Sequence, residues 1–270
     1  MQIGKKEFDL EHNFYMMGIL NVTPDSFSDG SRYNTMDKAL AHAGQLVDEG
    51  ADIIDIGGES TRPNHIKISS EEEIERVCPI IERLKQEFDV PVSLDTYKSD
   101  VASAGISAGA DLLNDIWGLK WDNTMAKVIA DAKIPCCLMH NRRDTDYSDF
   151  VEDVLKDLQE SVDMALEAGI KKDNIILDPG IGFAKDLHQN LVMMNQLSRL
   201  KELGYPVLLG TSRKSMIGLT LDLPVDEREE GTIATSVMGR MAGCCIFRVH
   251  DVKKNLRSLK MTEAILSQQS

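Results

Sequence analysis

Short apolar runs alternate with longer amphipathic stretches along almost the whole chain. Eight runs rich in Val, Ile and Leu end in a polar or glycine-containing break, which is typical of buried parallel strands. The predicted strands are Tyr15–Leu20, Asp52–Ile56, Val92–Asp95, Asp111–Asn114, Cys136–Met139, Ile175–Asp178, Val207–Leu209 and Cys245–Val249.

The stretches between these runs have apolar residues spaced three and four apart, which predicts helices with one buried face. Examples are Asp37–Glu49, Glu71–Glu87, Asp149–Ala168, Leu187–Leu203 and Glu230–Met241. Strands that alternate with helices form parallel sheets through right-handed crossovers, and eight repeats close into a barrel. The sequence has no Pro- or Ser-rich stretch typical of a linker. It therefore predicts an α/β fold, a TIM (β/α)8 barrel, built as a single domain over residues 1–270. A doubly wound open sheet is the competing fold.

A barrel of this type has its active site at the carboxyl ends of its strands, and those ends are polar here. They carry Asn21, Asp55, Asp95, Asn114, His140, Asp178, Ser212 with Lys214, and Arg248 with His250. Any one Asp or Asn could simply cap a helix or begin a turn. The set of Asp95, Asn114 and Asp178 is more informative, because the period of two along a strand lets all three face the mouth. Two buried carboxylates and an amide favour a planar heterocycle that offers N–H donors.

Basic residues lie at the ends of the last two predicted strands, where barrels commonly bind phosphate. They are Arg213, Lys214, Arg248 and His250. Arg213 alone would be interpreted as a surface charge, whereas the cluster favours a focused anion site. The chain carries 30 Lys and Arg against 44 Asp and Glu, a net charge of −14, so an anionic ligand has to be captured locally.

The same net charge argues against a nucleic-acid or anionic-membrane partner. Charged residues in Met1–Leu10 leave no apolar signal-peptide core, and we expect a soluble cytoplasmic protein. Five cysteines include the adjacent pairs Cys136/Cys137 and Cys244/Cys245. Adjacent strand residues point to opposite faces, so reduced core thiols are expected, with redox or zinc use as the alternative.

Eight motifs, in order along the chain, carry a resemblance to a known family. They are GILNVTPDSFSDG, DIIDIGGESTRP, SLDTYKSDV, NDIWG, LMHNR, LDPGIGFAK, GTSRKSMIG and FRVHDV. Together they resemble the dihydropteroate synthases, the folate-pathway enzymes targeted by sulfonamides, from about Phe14 to the last helix.

The resemblance implies that p-aminobenzoate condenses with 6-hydroxymethyl-7,8-dihydropterin pyrophosphate, with Mg²⁺ assisting and a homodimer as the assembly. By motif, Asp95, Asn114, Asp178 and Lys214 hold the pterin and Arg248 stacks on it, and Lys214, Arg248, Asp95 and Asp178 form the catalytic set. Arg248 and His250 bind the pyrophosphate with Asn21, which helps to place the metal. Residues implied around the p-aminobenzoate site and in the loops above it are Phe27, Asp29, Thr61, Arg62, Pro63, Phe183, Lys214 and Ser215.

The predicted chemistry is an SN1-like loss of pyrophosphate from the pterin methylene, followed by attack of the neutral amine. The long polar segments Asn21–Asn34 and Gly57–Ser69 are interpreted as lids that exclude water, against the alternative of idle connections. Two rival functions stay open at this point. One is a pterin-dependent, corrinoid-linked methyltransferase, and the other is a catalytically silent pterin-binding paralogue.

Overall fold

Eight parallel strands form the centre of the molecule, and helices cover them. The computed structural model describes residues 1–22, 32–60 and 67–268, with the side chains of 32–35 left out. A small antiparallel hairpin, β1 and β2, precedes the main sheet. The strands are β1 (Gln2–Ile3), β2 (Lys6–Glu7), β3 (Tyr15–Asn21), β4 (Ile53–Gly57), β5 (Val92–Asp95), β6 (Leu112–Asp115), β7 (Cys136–Met139), β8 (Ile175–Asp178), β9 (Leu208–Leu209) and β10 (Ile246–Val249).

The main sheet closes on itself. Its order is β8-β7-β6-β5-β4-β3-β10-β9, and a parallel bridge between Leu177 and Val207 joins β8 to the residue before β9. The closed ring confirms the (β/α)8 barrel and excludes the doubly wound open sheet. All eight predicted strands are present, with ends displaced by at most one residue.

The helices alternate with the barrel strands. They are α1 (Arg32–Asp48), α2 (Ser70–Glu87), α3 (Ser99–Ala108), α4 (Met125–Ala132), α5 (Phe150–Glu167), α6 (Leu187–Asn195), α7 (Ser215–Leu221), α8 (Glu229–Ala242) and α9 (Val252–Leu266). The predicted helix Leu187–Leu203 is divided, because Gln196 leaves the helical region at φ −107° and a 3-10 helix follows over Leu197–Leu203. None of the described helices has both the length and the unbroken apolar run that crossing a bilayer requires.

Local sequence signals fix the helix ends near the barrel mouth. Ser69 caps α2, with its side chain accepting the Glu72 amide hydrogen, and three acidic residues in the first turn complement the helix dipole. Asp186 and Gln189 form a reciprocal capping box at the start of α6. The capping box fixes the point where the loop after β8 ends.

Alternation along the strands divides the core into two layers. An inner cluster fills the barrel axis with side chains such as Met17, Ile53 and Ile176, and Ile3 and Phe8 of the amino-terminal hairpin segment belong to it. An outer cluster packs between the strands and the helices. Both cysteine pairs follow this alternation, since Cys136 and Cys244 are in the outer layer while Cys137 and Cys245 are in the inner one. All five cysteines are unpaired thiols.

Candidate active site

Polar side chains meet at the carboxyl end of the barrel, as the strand parity predicts. Asn21, Gly57, Asp95 and Asn114 are register partners across four consecutive strands, β3 to β6. Asp178 on β8 pairs in register with Met139 on β7, so one strand separates it from Asn114. Asp95, Asn114 and Asp178 are all buried, and they therefore share one mouth without forming an unbroken row.

An arginine on β10 joins two carboxylates, one on β4 and one on β5. Arg248 Nε donates to Asp55 Oδ2 at 2.6 Å, and Arg248 Nη2 donates to Asp95 Oδ2 at 2.8 Å. The other oxygen of Asp55 accepts the Ser93 hydroxyl at 2.6 Å. Burial opposes the charge on Arg248, but the two carboxylates raise the pKa of its guanidinium above the usual range. Arg248 is thus a cation that the barrel core holds permanently charged.

Asp55 and Ser93 are site residues that the sequence reasoning did not assign. Asp55 is fully buried in the middle of β4, between two isoleucines. A carboxylate in such a run needs a cation or several donors, because an unpaired buried charge is costly. That requirement is the signal in the sequence that points to a partner elsewhere in the barrel.

Asp95 keeps one oxygen without a partner. Its Oδ1 is buried and accepts no hydrogen bond from any described residue. Burial raises the pKa of Asp95 to about 7, against the opposing effect of Arg248. A buried oxygen of this kind is satisfied by a ligand that brings its own donor, which fits the predicted N–H-bearing heterocycle.

Asp178 and Lys214 form the opposite wall of the mouth. Asp178 Oδ1 accepts the Gly180 amide hydrogen at 2.7 Å, and its Oδ2 lies near Gly210, where an added Cβ would also approach Arg248. Lys214 donates to the Ile181 carbonyl, and its Nζ is 4.7 Å from the centre of the Phe183 ring. Burial raises the pKa of Asp178 and lowers that of Lys214 to about 8.

The basic residues that the sequence predicts as an anion site differ in their partners. His250 Nδ1 is 2.9 Å from Ser212 Oγ, which also accepts the His250 amide hydrogen at 3.1 Å. Arg213, in contrast, pairs with both oxygens of Asp251 at 3.0 and 2.8 Å. Ser212 and His250 therefore stand together at the ends of β9 and β10, while the charge of Arg213 is already balanced.

Several predicted residues fall outside the described part of the chain. They are Phe27, Asp29, Thr61, Arg62 and Pro63, and the central parts of the two predicted lid segments, residues 23–31 and 61–66, lie there with them. Of the remaining p-aminobenzoate residues, Phe183 is half-buried beside Lys214, and Ser215 is exposed as the first residue of α7.

A buried chain of polar groups lies behind this wall, and it too was not assigned from the sequence. Lys185 Nζ is 2.8 Å from His140 Nδ1, and His140 Nε2 is 3.0 Å from Asp157 Oδ2. Because the ammonium can only donate, Nδ1 accepts and Nε2 carries the hydrogen that goes to Asp157. Burial lowers the pKa of His140 to about 4 and that of Lys185 to about 7.

We expect this histidine to make the protein sensitive to acid. Between about pH 6.5 and pH 4 the unfolded chain binds a proton that folded His140 refuses, so the free energy of unfolding falls as the pH falls through that window. The expected contribution is about 3 kcal/mol. Urea unfolding of wild type and His140→Gln at several pH values measures it, and the variant should show a flatter dependence. His188→Gln, at an exposed position, is the matched control, and a variant as steep as wild type contradicts the expectation.

Comparison with known proteins identifies the family to which the chain belongs. The sequence profile of the family described as "Pterin binding enzyme" matches residues 17–250. That match covers most of the chain, so the chain belongs to the pterin binding enzymes.

Curated relatives narrow the class further. A dihydropteroate synthase of Clostridium beijerinckii is 60% identical over 267 residues, which cover 98% of this chain and 99% of the relative. One from Bacillus subtilis is 57% identical over 252 residues, covering 93% of this chain and 88% of the relative. Within the pterin binding enzymes, the chain is a member of the dihydropteroate synthase family, transferases of alkyl groups other than methyl.

Solved structures agree with this assignment. The crystal structure of a Clostridium difficile dihydropteroate synthase in the presence of pteroic acid superposes with a TM-score of 0.95 at 51% identity, covering 97% of this chain and all of that one. A Xanthomonas albilineans dihydropteroate synthase with 4-aminobenzoic acid gives a TM-score of 0.91 at 41% identity, covering 95% of this chain and 94% of that one.

Proposed function

We propose that this chain condenses p-aminobenzoate with 6-hydroxymethyl-7,8-dihydropterin pyrophosphate, releasing pyrophosphate and 7,8-dihydropteroate through an SN1-like step. The observation that carries the proposal is the presence of four charged side chains in one barrel mouth. Asp95 has one buried oxygen without a partner, and its other oxygen accepts from Arg248. Asp178 and Lys214 interact electrostatically in the same mouth. The relatives named above support the same reaction.

The pterin is held by groups that match its edges. Asp178 and Asp95 accept hydrogens from the ring N–H and amino groups, and Asn114 supplies an amide. Lys214 donates to the ring carbonyl with its stem against the Phe183 ring, and Arg248 stacks on the bicycle. We assign Lys214, Arg248, Asp95 and Asp178 as the catalytic set.

Loss of pyrophosphate places positive charge on the ring and negative charge on the leaving group. In this proposal Asp95 and Asp178, with Asp55 behind Arg248, surround the ring and stabilise the cation as it forms. Arg248 on β10 and His250 directly after that strand are proposed to bind the leaving pyrophosphate. Because the barrel holds these charged side chains in place before the reaction, they do not need to reorient when the bond to pyrophosphate breaks.

The amine of p-aminobenzoate then attacks as a neutral nucleophile. Phe183, Lys214 and Ser215 form the described part of its slot, and the motif residues Phe27, Asp29, Thr61, Arg62 and Pro63 complete it in the proposal. Holding the amine against the methylene converts the step into one within a single complex. Sulfonamides, which imitate p-aminobenzoate in shape and charge, are proposed to compete for this slot.

Asn21 suits a magnesium ion that is shared with the substrate. It ends β3 beside Gly57, and its Oδ1 is 3.8 Å from the place where a Cβ on Gly57 would lie, next to Asp95. Mg²⁺ commonly takes one or two protein oxygens together with phosphates and water. In the part of the chain that the structure describes, no group of three or more His, Cys, Asp or Glu is placed to hold a metal ion. When bound, the ion would neutralise charge on the pyrophosphate.

We also propose a homodimer in the cytoplasm. Met238 and Met241 on α8 and Met261 and Ile265 on α9 are 48%, 64%, 61% and 60% exposed, and the two helices pack side by side. An apolar face of this kind favours a second copy of the chain. Sedimentation of wild type and of Met241→Glu with Met261→Glu tests it, with a shift to monomer expected. The unpaired cysteines suit a reducing compartment.

The reaction itself is tested by pyrophosphate release. We expect release that requires the pterin substrate, p-aminobenzoate and Mg²⁺ together, with radiolabelled p-aminobenzoate appearing in the product and no corrinoid added. Methyl transfer that depends on a corrinoid would favour the methyltransferase alternative. Pterin binding without any turnover would favour the silent paralogue.

A further inference from the structure

Lys185 is a buried lysine to which the reaction assigns no role. It is 9% exposed, and its Nζ has three acceptors. They are the Gly180 carbonyl at 3.0 Å, the Phe183 carbonyl at 3.1 Å and His140 Nδ1 at 2.8 Å. An ammonium has three hydrogens, so the protein itself uses all of them. Lys185 therefore serves the structure around it and has no donor left for a substrate.

The segment that Lys185 holds, Pro179–Lys185, has an irregular backbone. Gly180, Gly182 and Ala184 have φ values of +67°, +83° and +45°, so the chain alternates into the left-handed region three times. Within the segment, the Phe183 amide hydrogen goes to the Gly180 carbonyl at 3.0 Å, and side chains satisfy other polar groups of this backbone. Besides Lys185, Tyr147 donates to the Ala184 carbonyl at 2.7 Å, and Asn190 accepts the Gly182 amide hydrogen at 2.6 Å.

The same segment touches Lys214 from two sides. The Ile181 carbonyl accepts from Lys214, and the Phe183 ring lies 4.7 Å from its Nζ. Ile181 lies between Gly180 and Phe183 in the chain, and the ring belongs to Phe183 itself. Both groups are therefore next to the two carbonyls that Lys185 binds. A shift of these carbonyls would therefore move the groups that place the Lys214 ammonium opposite Asp178.

We propose that Lys185 is a positioning residue, which fixes the Gly180 and Phe183 carbonyls and through them sets Lys214 for the pterin. His140 extends this function, because its bond to Asp157 keeps Nδ1 as the acceptor that Lys185 needs. The chain of contacts runs from Asp157 on α5 through His140 and Lys185 to the segment and ends at Lys214. The inference deepens the pterin site of the proposed function and rests on it.

The test is a double-mutant cycle on ligand binding. The dissociation constants of 6-hydroxymethylpterin and of inorganic pyrophosphate are measured by calorimetry for wild type, Lys185→Met, Lys214→Ala and the double variant. We expect Lys185→Met to weaken pterin binding about 10-fold or more and to leave pyrophosphate binding unchanged. In the Lys214→Ala background, the same change should have less than about a twofold effect, because the residue it positions is gone.

The matched control is Lys127→Met. Lys127 is exposed on α4 and pairs with Asp131, away from the chain of contacts that leads to Lys214, so pterin binding should stay as in wild type. If Lys185→Met does not fold, Tyr147→Phe enters the same cycle, since it removes a milder contact to the same segment. We expect Tyr147→Phe to weaken pterin binding several-fold when Lys214 is present and not at all in the Lys214→Ala background.

Two results overturn the inference. One is a pterin dissociation constant of Lys185→Met within twofold of wild type. The other is an equal loss of pterin binding in the wild-type and Lys214→Ala backgrounds, which would make Lys185 a purely structural residue. The proposed function is judged separately, by turnover and pterin binding of the wild-type chain.

Discussion

Replacing Arg248 by alanine is expected to abolish pyrophosphate release and to lower the free energy of unfolding by about 3–5 kcal/mol at pH 8. The change removes the cation that holds two buried carboxylates, Asp55 at 2.6 Å and Asp95 at 2.8 Å. Sequence alone suggests loss of turnover with an intact fold. The structure adds the loss of stability, because Arg248 also compensates the core.

The loss of stability should depend on pH. The pKa of Asp95 is raised by burial to about 7 even beside Arg248, so its folded form binds a proton more readily than its unfolded form. Stability contributed by such a group is lost as the pH rises through that value. Arg248 lowers the pKa of Asp95, so its removal raises that pKa further, and the variant goes on losing stability above about pH 7, where wild type levels off. We therefore expect a smaller difference between variant and wild type at pH 5 than at pH 8, measured by urea unfolding.

Two further variants sharpen this prediction. Arg199→Ala removes a surface arginine paired with Glu152 and Glu202 and should leave turnover and stability close to wild type. Asp55→Asn keeps a hydrogen-bond acceptor for Ser93 but removes one charge facing Arg248, so a partial loss of turnover is expected. Full activity of Arg248→Ala, or an equal destabilisation at both pH values, would contradict the assignment.

Lys214→Ala is expected to lower turnover by about 10³-fold while the fold is kept. In the proposed site the ammonium donates to the pterin carbonyl, and its charge also offsets that of Asp178. Its removal is tolerated by the core, because Asp178 still accepts the Gly180 amide hydrogen at 2.7 Å. Pyrophosphate release and thermal unfolding measure the two effects, with a melting temperature within about 4 °C of wild type.

Lys127→Ala provides the comparison for this variant. Lys127 is 76% exposed on α4, where it pairs with Asp131 one turn away. Its loss should change neither turnover nor melting. If Lys214→Ala retains wild-type turnover, or if its activity falls only in step with the unfolded fraction, Lys214 does not belong to the catalytic set.

Contacts between residues far apart in the chain are the part of the site that local sequence patterns do not predict. The strand ends that were interpreted as a pterin site from parity, Asp95, Asn114 and Asp178, are all buried in one mouth. Asp55 was seen at a strand end and given no role, because its partner Arg248 is 193 residues away. Lys185 belongs to a recognised motif, yet its contact with His140 spans 45 residues. A local pattern carries no information about such pairings.

The sequence by itself determined the eight strands, the alternating faces and the polarity of the barrel mouth, because these follow from a period of two and from short-range spacing. Only the tertiary structure decided that Arg248 joins Asp55 to Asp95, that Arg213 is balanced by Asp251, and that Lys185 supports the segment beside Lys214. The physical reason is closure of the barrel. It brings the first and last strands of the barrel together, so charged residues that are far apart in the sequence become neighbours in space.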